Sequence, residues 1–132
     1  MDFKTATIAM RKYFNDNFTG CPIALPDAVK EYTNTPWCRF NVLHSTGYQA
    51  TMGSPTANRF ERQGIITIQI FVPQGDNTVT ATDFANTILK LYEGVENSGV
   101  LYYNAYAKEV GNDGRGWYQI NVLTEFKYSE IT

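Results

Sequence analysis

Apolar residues recur along the chain at two spacings, one helical and one extended. From Asp2 to Phe18 the apolar side chains lie three or four residues apart, which is the spacing of one helix face. Ile8 and the charged residues fall off that face. The pattern predicts an amphipathic helix that ends near Gly20 and Pro22. Its predicted buried stripe is Phe3, Thr7, Met10, Phe14 and Phe18.

A second helical stripe follows Pro73–Asn77, a run of turn-forming residues. Thr80 or Thr82 is a suitable N-cap, because a threonine hydroxyl accepts a hydrogen bond from a free backbone N–H at a helix start. Gly94 is the predicted end of this helix. Its predicted apolar side consists of Ala81, Phe84, Ala85, Ile88, Leu89 and Tyr92.

Four further segments alternate along the chain in steps of two, as strands do. They are residues 37–44, 60–72, 100–110 and 117–128. Ser45–Arg59 is too long for a tight hairpin turn and is predicted to be a loop, whereas Gly111–Gly116 is predicted to be a turn between the last two strands. Residues 22–36 hold three prolines, which favours an irregular crossing with room for one helical turn.

The predicted order of elements is therefore α-β-β-α-β-β. Two helices bury their apolar stripes only if both lie across one face of the sheet. We expect an α+β fold, a two-layer sandwich with two helices packed on one face of a mainly antiparallel four-stranded sheet. A length of 132 residues favours one domain over residues 1–132, because two domains of half that size would each be marginally stable.

Charge and hydropathy narrow the classes of protein that fit. The net charge of −2 gives no electrostatic basis for non-specific nucleic-acid binding. The chain holds no run of about 18 apolar residues, the length that crosses a bilayer. Its first residues do not resemble a signal peptide. We therefore expect a cytosolic protein with no membrane partner and with its two cysteines reduced.

Side chains suited to catalysis are scarce. One histidine, His44, cannot by itself form a triad or a histidine-rich metal site. Cys21 or Cys38 is a possible nucleophile with His44 as base, although neither lies in a recognisable motif. Gly111–Gly116 lacks the Lys-Ser/Thr of a phosphate-binding loop. We expect no enzymatic activity, no metal and no cofactor.

Several short stretches appear in an order that is informative. They are Arg59-Phe60-Glu61-Arg62-Gln63-Gly64 before the second strand, Pro73-Gln74-Gly75 after it, Thr82-Asp83-Phe84-Ala85 in the second helix, and Gly116-Trp117-Tyr118-Gln119-Ile120-Asn121-Val122 in the last strand. In this order and spacing the chain resembles the tail terminator-like, or tail completion, proteins of tailed bacteriophages. The resemblance spans nearly the whole chain, and the Arg-x-x-Gly entry and Pro-x-Gly exit of the second strand are its more specific parts.

The resemblance implies a structural protein of the virion, assembled in the host cytoplasm. Family members form a ring, usually of six subunits, at the head-proximal end of the tail tube. The ring stops tube polymerisation, offers the surface to which the head–tail connector proteins join, and lets DNA pass through its lumen without specific binding. The expected partners are thus further copies of the chain, the tail tube protein and the connector proteins.

Candidate interaction residues come from the long loop and from the arginines. A mobile polar loop can become ordered on assembly, and arginine is enriched at protein interfaces. The candidates are Ser45, Tyr48, Met52, Arg59, Arg62 and Arg115.

Two alternatives stay open at this point. A neck or head–tail connector completion protein would have a similar small α+β subunit. A ligand-binding module or enzyme would use a pocket between helices and sheet. An enzyme would show a deep pocket with perturbed ionisable groups, whereas a ring subunit would show exposed apolar and aromatic patches on two opposed sides.

Overall fold

The α+β class is confirmed by the structure, a computed structural model that describes residues 2–24, 36–49, 59–73, 75, 78–112 and 116–131. The elements in chain order are helix α1 (Phe3–Asn17), strands β1 (Ile23–Ala24), β2 (Trp37–Gln49) and β3 (Arg59–Pro73), helix α2 (Thr78–Tyr92), and strands β4 (Val95–Asn97), β5 (Val100–Asn112) and β6 (Trp117–Ile131).

The sheet has six strands in the order β1-β2-β3-β6-β5-β4. The neighbouring strands β2, β3, β6, β5 and β4 pair antiparallel in succession, and β1 pairs parallel with β2. The prediction of four strands is wrong because two short strands, β1 and β4, extend the two edges. Strands of two and three residues are too short to show an alternating pattern.

Strand β2 runs five residues past its predicted end at His44, so Ser45 and Tyr48 belong to a strand and the predicted loop boundary is wrong. The strand was predicted to end too early because of a register shift between His44 and Thr46, where the pairing with β3 skips Ser45. Such a bulge breaks the period-two alternation that marks a strand in the sequence. The remainder of that loop, residues 50–58, and most of the predicted irregular crossing, residues 25–35, lie outside the described residues.

Helix α1 begins at an aspartate cap, since the Asp2 carboxylate accepts a 2.7 Å hydrogen bond from the backbone N–H of Thr5. Its buried row is Ala6, Met10, Phe14 and the following Phe18, at intervals of four residues. The predicted stripe was right at the last three of these positions and wrong at Phe3, which is 57% exposed. Ala6 occupies the buried position of the first turn instead.

Helix α2 begins at Thr78, so the prediction of a cap at Thr80 or Thr82 is wrong. The Thr82 hydroxyl instead donates 2.8 Å to the carbonyl of Thr78, a bond within the helix. The predicted apolar side is confirmed, because its six members are buried or packed against the core. Gly94, with φ of 63°, follows the helix end as predicted.

The two helices lie on one face of the sheet and run in opposite directions. Tyr13 of α1 contacts Tyr92 at the end of α2, and Phe18 contacts Phe84 nearer its start, with ring centroids 5.6 and 5.9 Å apart. Phe14 is stacked between the helices and the sheet, 5.2 Å from Phe40. This helix-covered face carries the predicted inward residues of β2, β3 and β6 and forms one apolar core.

The other face of the sheet is free of helices in the part of the chain that the structure describes. We call it the open face. At one end, Trp37 stacks on Phe71 at 4.4 Å and meets Trp117 edge-on at 6.3 Å. Arg39 lies over the Trp37 ring at 5.5 Å. Leu43 is 64% exposed further along this face.

Candidate interaction surface

Four of the six candidate residues lie at one end of the sheet. The end of β2, the start of β3 and the end of β6 meet there, which brings together Ser45, Tyr48, Arg59 and Arg62. We call this the charged end. The other two candidates, Met52 and Arg115, lie outside the described residues.

Arg62 is held by an ion pair on the helix side of the charged end. Its Nε donates to the Glu130 carboxylate at 2.7 Å, and its guanidinium carbon lies 6.0 Å from the centre of the Phe60 ring. Glu130 is on β6, diagonally across from Arg62 on β3. The pair is partly shielded from water, since the two side chains are 36% and 19% exposed. The arginine is therefore fixed in one orientation.

Arg59 is held by a second network on the open face of the same end. Its Nε lies 3.2 Å from the Glu61 carboxylate. That carboxylate also accepts a 2.8 Å hydrogen bond from the Ser129 hydroxyl. The charged end thus carries a paired arginine on each face of the sheet. Ser45, also in this region, is exposed and donates 3.3 Å to the carbonyl of Gln63.

His44 joins the charged end to helix α1. Its Nε2 is 2.8 Å from the Tyr128 hydroxyl, and its ring packs 4.1 Å from Phe3 and 5.3 Å from Phe126. Burial lowers the pKa of His44, and the positive charge of Arg62 lowers it further. A neutral imidazole in these surroundings connects α1, β2 and β6, which agrees with a structural role.

The two cysteines contact one another and not the histidine. A hydrogen bond from Cys38 lowers the pKa of Cys21, while the same bond and burial raise the pKa of Cys38. Cys38 and His44 are six residues apart on one strand, which is about 20 Å. Cys21 lies beside Cys38 at the same end of that strand. The alternative of a cysteine–histidine catalytic pair is therefore wrong.

The surface depressions are shallow and open. One lies between α1 and the sheet edge and is lined by Ile8, Arg11, Phe14, Ile23 and Phe40 among others. We call it the α1 groove. Within the described ranges, no cluster of three or more metal-binding side chains occurs. No helix in those ranges is both long and apolar enough to cross a bilayer.

Sequence reasoning missed His44, Tyr128 and Glu130 as members of this region. Glu130 pairs with Phe60 across the β3–β6 ladder, so its proximity to Arg62 appears only once the strand register is known. A long-range register is not encoded in any local spacing. The alternation of apolar and polar residues in β6 stops at Tyr128, since Glu130 takes the next inward position, so no local pattern extends the strand to this residue.

Comparison with known proteins identifies the family. A family model described as "Phage tail terminator protein" matches residues 5–126. The chain belongs to the phage tail terminator family. A tail terminator is a structural component of the phage tail. Membership of the family therefore places the protein in the tail of the virion.

Structural comparison supports the fold of this tail terminator. Solved chains that match number 23, and one of them superposes with a TM-score of 0.65 at 15% sequence identity. The alignment covers 97% of this chain and 96% of that one, so the likeness is one of the whole fold. A search of curated proteins by sequence found no match.

Proposed function

We propose that the protein assembles into a ring, of six subunits, at the head-proximal end of the tail tube. There it stops polymerisation of the tube protein and provides the surface to which the head–tail connector proteins join. The observation that carries the proposal is the family match over residues 5–126. The protein acts in this proposal by steric contact and without catalysis.

The shape of the subunit supports a ring. One lateral edge of the sheet is formed by β1 and β2, and the other by β5 and β4, so the two sides carry different residues. Two different surfaces that fit each other give a head-to-tail contact, and such contacts close into rings when the rotation allows. A net charge of −2 agrees with a lumen that passes DNA without gripping it.

The charged end supplies the candidate surface for a partner in the tail. Arg59 and Arg62 are already oriented by carboxylates, so they lose little side-chain freedom when a partner binds. Ser45 and Tyr48 belong to the strand that leads to Met52, and all three are proposed to contact the tube or the connector. Arg115 is proposed to contact a partner as well.

The test is to add purified protein to growing tail tubes and to measure tube length and end decoration by electron microscopy. Tubes that stop growing and carry protein at one end would support the terminator proposal. Tubes that grow on, together with binding to isolated head connectors, would replace it with a neck-protein function. Binding to neither would contradict both.

A variant pair localises the activity. Arg62→Ala removes a cation of the charged end, whereas Lys90→Ala removes one from the exposed side of helix α2. We expect the first to weaken end-binding by about tenfold or more and the second to leave it unchanged. Equal effects of both would contradict the role of the charged end.

A further inference from the structure

Strand β5 has a long edge that no strand covers. Strand β6 pairs along its length, but β4 pairs only with residues 100–102. Within the part of the chain that the structure describes, residues 103–112 have no strand on their outer side. Alternate residues of a strand direct their backbone N–H and C=O to opposite sides, so about half of these groups point away from the sheet.

This edge carries few of the features that keep an edge strand from pairing. It has no proline in ten residues, and Lys108 is its one lysine. Two register shifts interrupt it, but three large apolar side chains are exposed along it. Tyr103, Tyr106 and Val110 are 43%, 42% and 50% exposed. A free backbone edge with exposed apolar side chains is suited to strand addition.

Strand β2 supplies a second edge of the same length at the other side of the sheet. Strand β1 pairs only with Cys38 and Arg39. Among the described residues, 40–49 have no strand on that outer side. The two uncovered edges, 103–112 and 40–49, are ten residues each, and the strand pairings place Asn104–Ala107 of the first at the same height in the sheet as Phe40–Leu43 of the second.

The directions of the strands make these two edges complementary. The four long strands β2, β3, β6 and β5 are adjacent and antiparallel in succession, so β2 and β5 run in opposite directions. If a second copy is related to the first by rotation about an axis parallel to the strands, its β2 runs in the same direction as the β2 of the first copy. Its β2 therefore arrives antiparallel to the β5 that it meets, and the alternation continues from one copy to the next.

Charge agrees with the same arrangement. Glu109 pairs with Ile120, whose side chain is buried under the helices, so Glu109 lies on the helix side of β5. Arg11 lines the α1 groove on the helix side of the β2 edge. Joining the two edges brings this carboxylate and this guanidinium to the same side of the continuous sheet.

We propose that the β5 edge of one subunit adds, antiparallel, to the β2 edge of a second copy, and that this strand addition is the contact between neighbours. The proposal rests on the ring proposed above and names the surfaces that build it. Because the two edges differ, the contact is head-to-tail, and each subunit keeps one edge of each kind for its next neighbour.

The test uses two neighbouring proline variants, Tyr106→Pro and Ala107→Pro. Both residues lie between the bulges in regular pairing with β6, opposite Leu123 and Val122. One of the two backbone N–H groups points to β6 and the other points outward. Proline at the outward position keeps the sheet intact and blocks an incoming strand, whereas proline at the other position breaks the ladder. The melting temperature identifies the outward variant.

Oligomeric state is measured by light scattering after size-exclusion chromatography, alone over a range of concentrations and with tail tubes present. We expect the correctly folded proline variant to lose oligomers, with association weakened about tenfold or more. Val110→Lys is the second variant, because Val110 is half exposed and its replacement leaves the core untouched. Thr87→Lys, at an exposed position on helix α2, is the matched control for an added lysine and should assemble as the parent does.

Each outcome decides between the proposals. Oligomers of the parent that persist in the folded proline variant and in Val110→Lys would overturn strand addition and leave the ring standing. A parent that stays monomeric under all conditions, tubes included, would overturn both.

Mixing separates head-to-tail addition from β5-to-β5 pairing. A variant blocked at β5 still has its β2 edge, so a labelled sample should cap parent subunits and yield short, open assemblies. Exclusion of the labelled variant from parent assemblies would contradict the head-to-tail arrangement.

Discussion

The two faces of the sheet differ in what holds them together. The helix-covered face is dry and apolar, with rings stacked between Phe14, Phe40 and the end of α2. The open face mixes indole, amide and charged side chains, and several of its apolar residues are exposed. Burial of apolar area is the main source of folding stability. Stability therefore comes mostly from the helix-covered face, which leaves the open face and the strand edges available for contacts between proteins.

The largest expected effect comes from emptying the centre of the covered face. Phe14→Ala removes a ring that stacks on Phe40 and lies beside Phe18 and Tyr92. We expect the free energy of unfolding to fall by about 3–5 kcal/mol, through lost burial and the cavity left behind. Urea denaturation followed by circular dichroism measures it. A loss below about 1 kcal/mol would mean that the covered face is not the main source of stability.

The next effect comes from the closest approach within the sheet. A Cβ at Gly64 would lie 2.3 Å from the carbonyl oxygen of Leu43 and 2.8 Å from a ring atom of Phe126. Backbone cannot yield as a flexible side chain can, so we expect Gly64→Ala to cost about 1–3 kcal/mol of unfolding free energy. Gly47→Ala is the matched control, because the nearest atom there is 3.2 Å away and belongs to the end of the Arg62 side chain, not to the backbone. Equal stability losses would contradict the clash.

Removing single tyrosine hydroxyls at the helix–sheet interface is expected to change the unfolding free energy by smaller amounts. The direction of the change depends on whether the hydroxyl has a hydrogen-bond partner. The Tyr13 hydroxyl donates 2.6 Å to the carbonyl of Leu91. The hydroxyls of Tyr92 and Tyr102 are buried and find no hydrogen-bond partner among the described residues. Tyr13→Phe should therefore lower the unfolding free energy by about 1 kcal/mol, whereas Tyr102→Phe should leave it unchanged or raise it. Thermal denaturation compares the two, and a larger loss for Tyr102→Phe would show that its hydroxyl is paired.

His44 makes the stability of the fold depend on pH. Because its pKa is lowered below 6.5 on folding, the unfolded chain binds more protons than the folded one between the folded pKa and 6.5. Stability supplied by the neutral ring is present above that window and is lost as pH falls through it. NMR titration of this single histidine should give a value below 6.5, and Arg62→Gln should raise it. A value at or above 6.5 in the parent would contradict the burial argument.

The smallest expected effect lies on the open face. Leu43 is 64% exposed, so Leu43→Ser removes little buried area. We expect the unfolding free energy to change by less than about 0.5 kcal/mol. The same urea titration that is used for Phe14→Ala measures it. A loss above about 2 kcal/mol would show that the open face contributes to folding as the covered face does.

The parts of the fold that were predictable are those with many repeats of one period. Strand β3 and the stripe of α2 repeat their pattern over fifteen residues, so their type and buried side were readable. The bulge at Ser45 changes the phase within a strand, and the two edge strands hold only one full repeat of two residues each. Local periodicity cannot report these features.

The candidate site was less predictable than the fold, for a physical reason. Arg59 and Arg62 were selected by residue type, and both do lie at one end of the sheet. Glu130, the partner of Arg62, and Ser129, which donates to Glu61, each lie 68 positions from that residue in sequence. The same holds for His44 and Tyr128, which are 84 residues apart. Such contacts depend on register, which is decided by the whole sheet.

The cluster of Trp37, Phe71 and Trp117 is an intrinsic spectroscopic probe of one end of the sheet. The chain has two tryptophans, and both lie in this cluster, with ring centroids 6.3 Å apart. Intrinsic fluorescence therefore senses one end of the sheet, where β2 and β6 begin, and is insensitive to events confined to the charged end. Two indoles this close also interact electronically, so near-ultraviolet circular dichroism follows their mutual orientation. A neighbour that binds close to this end would be detectable without any attached dye.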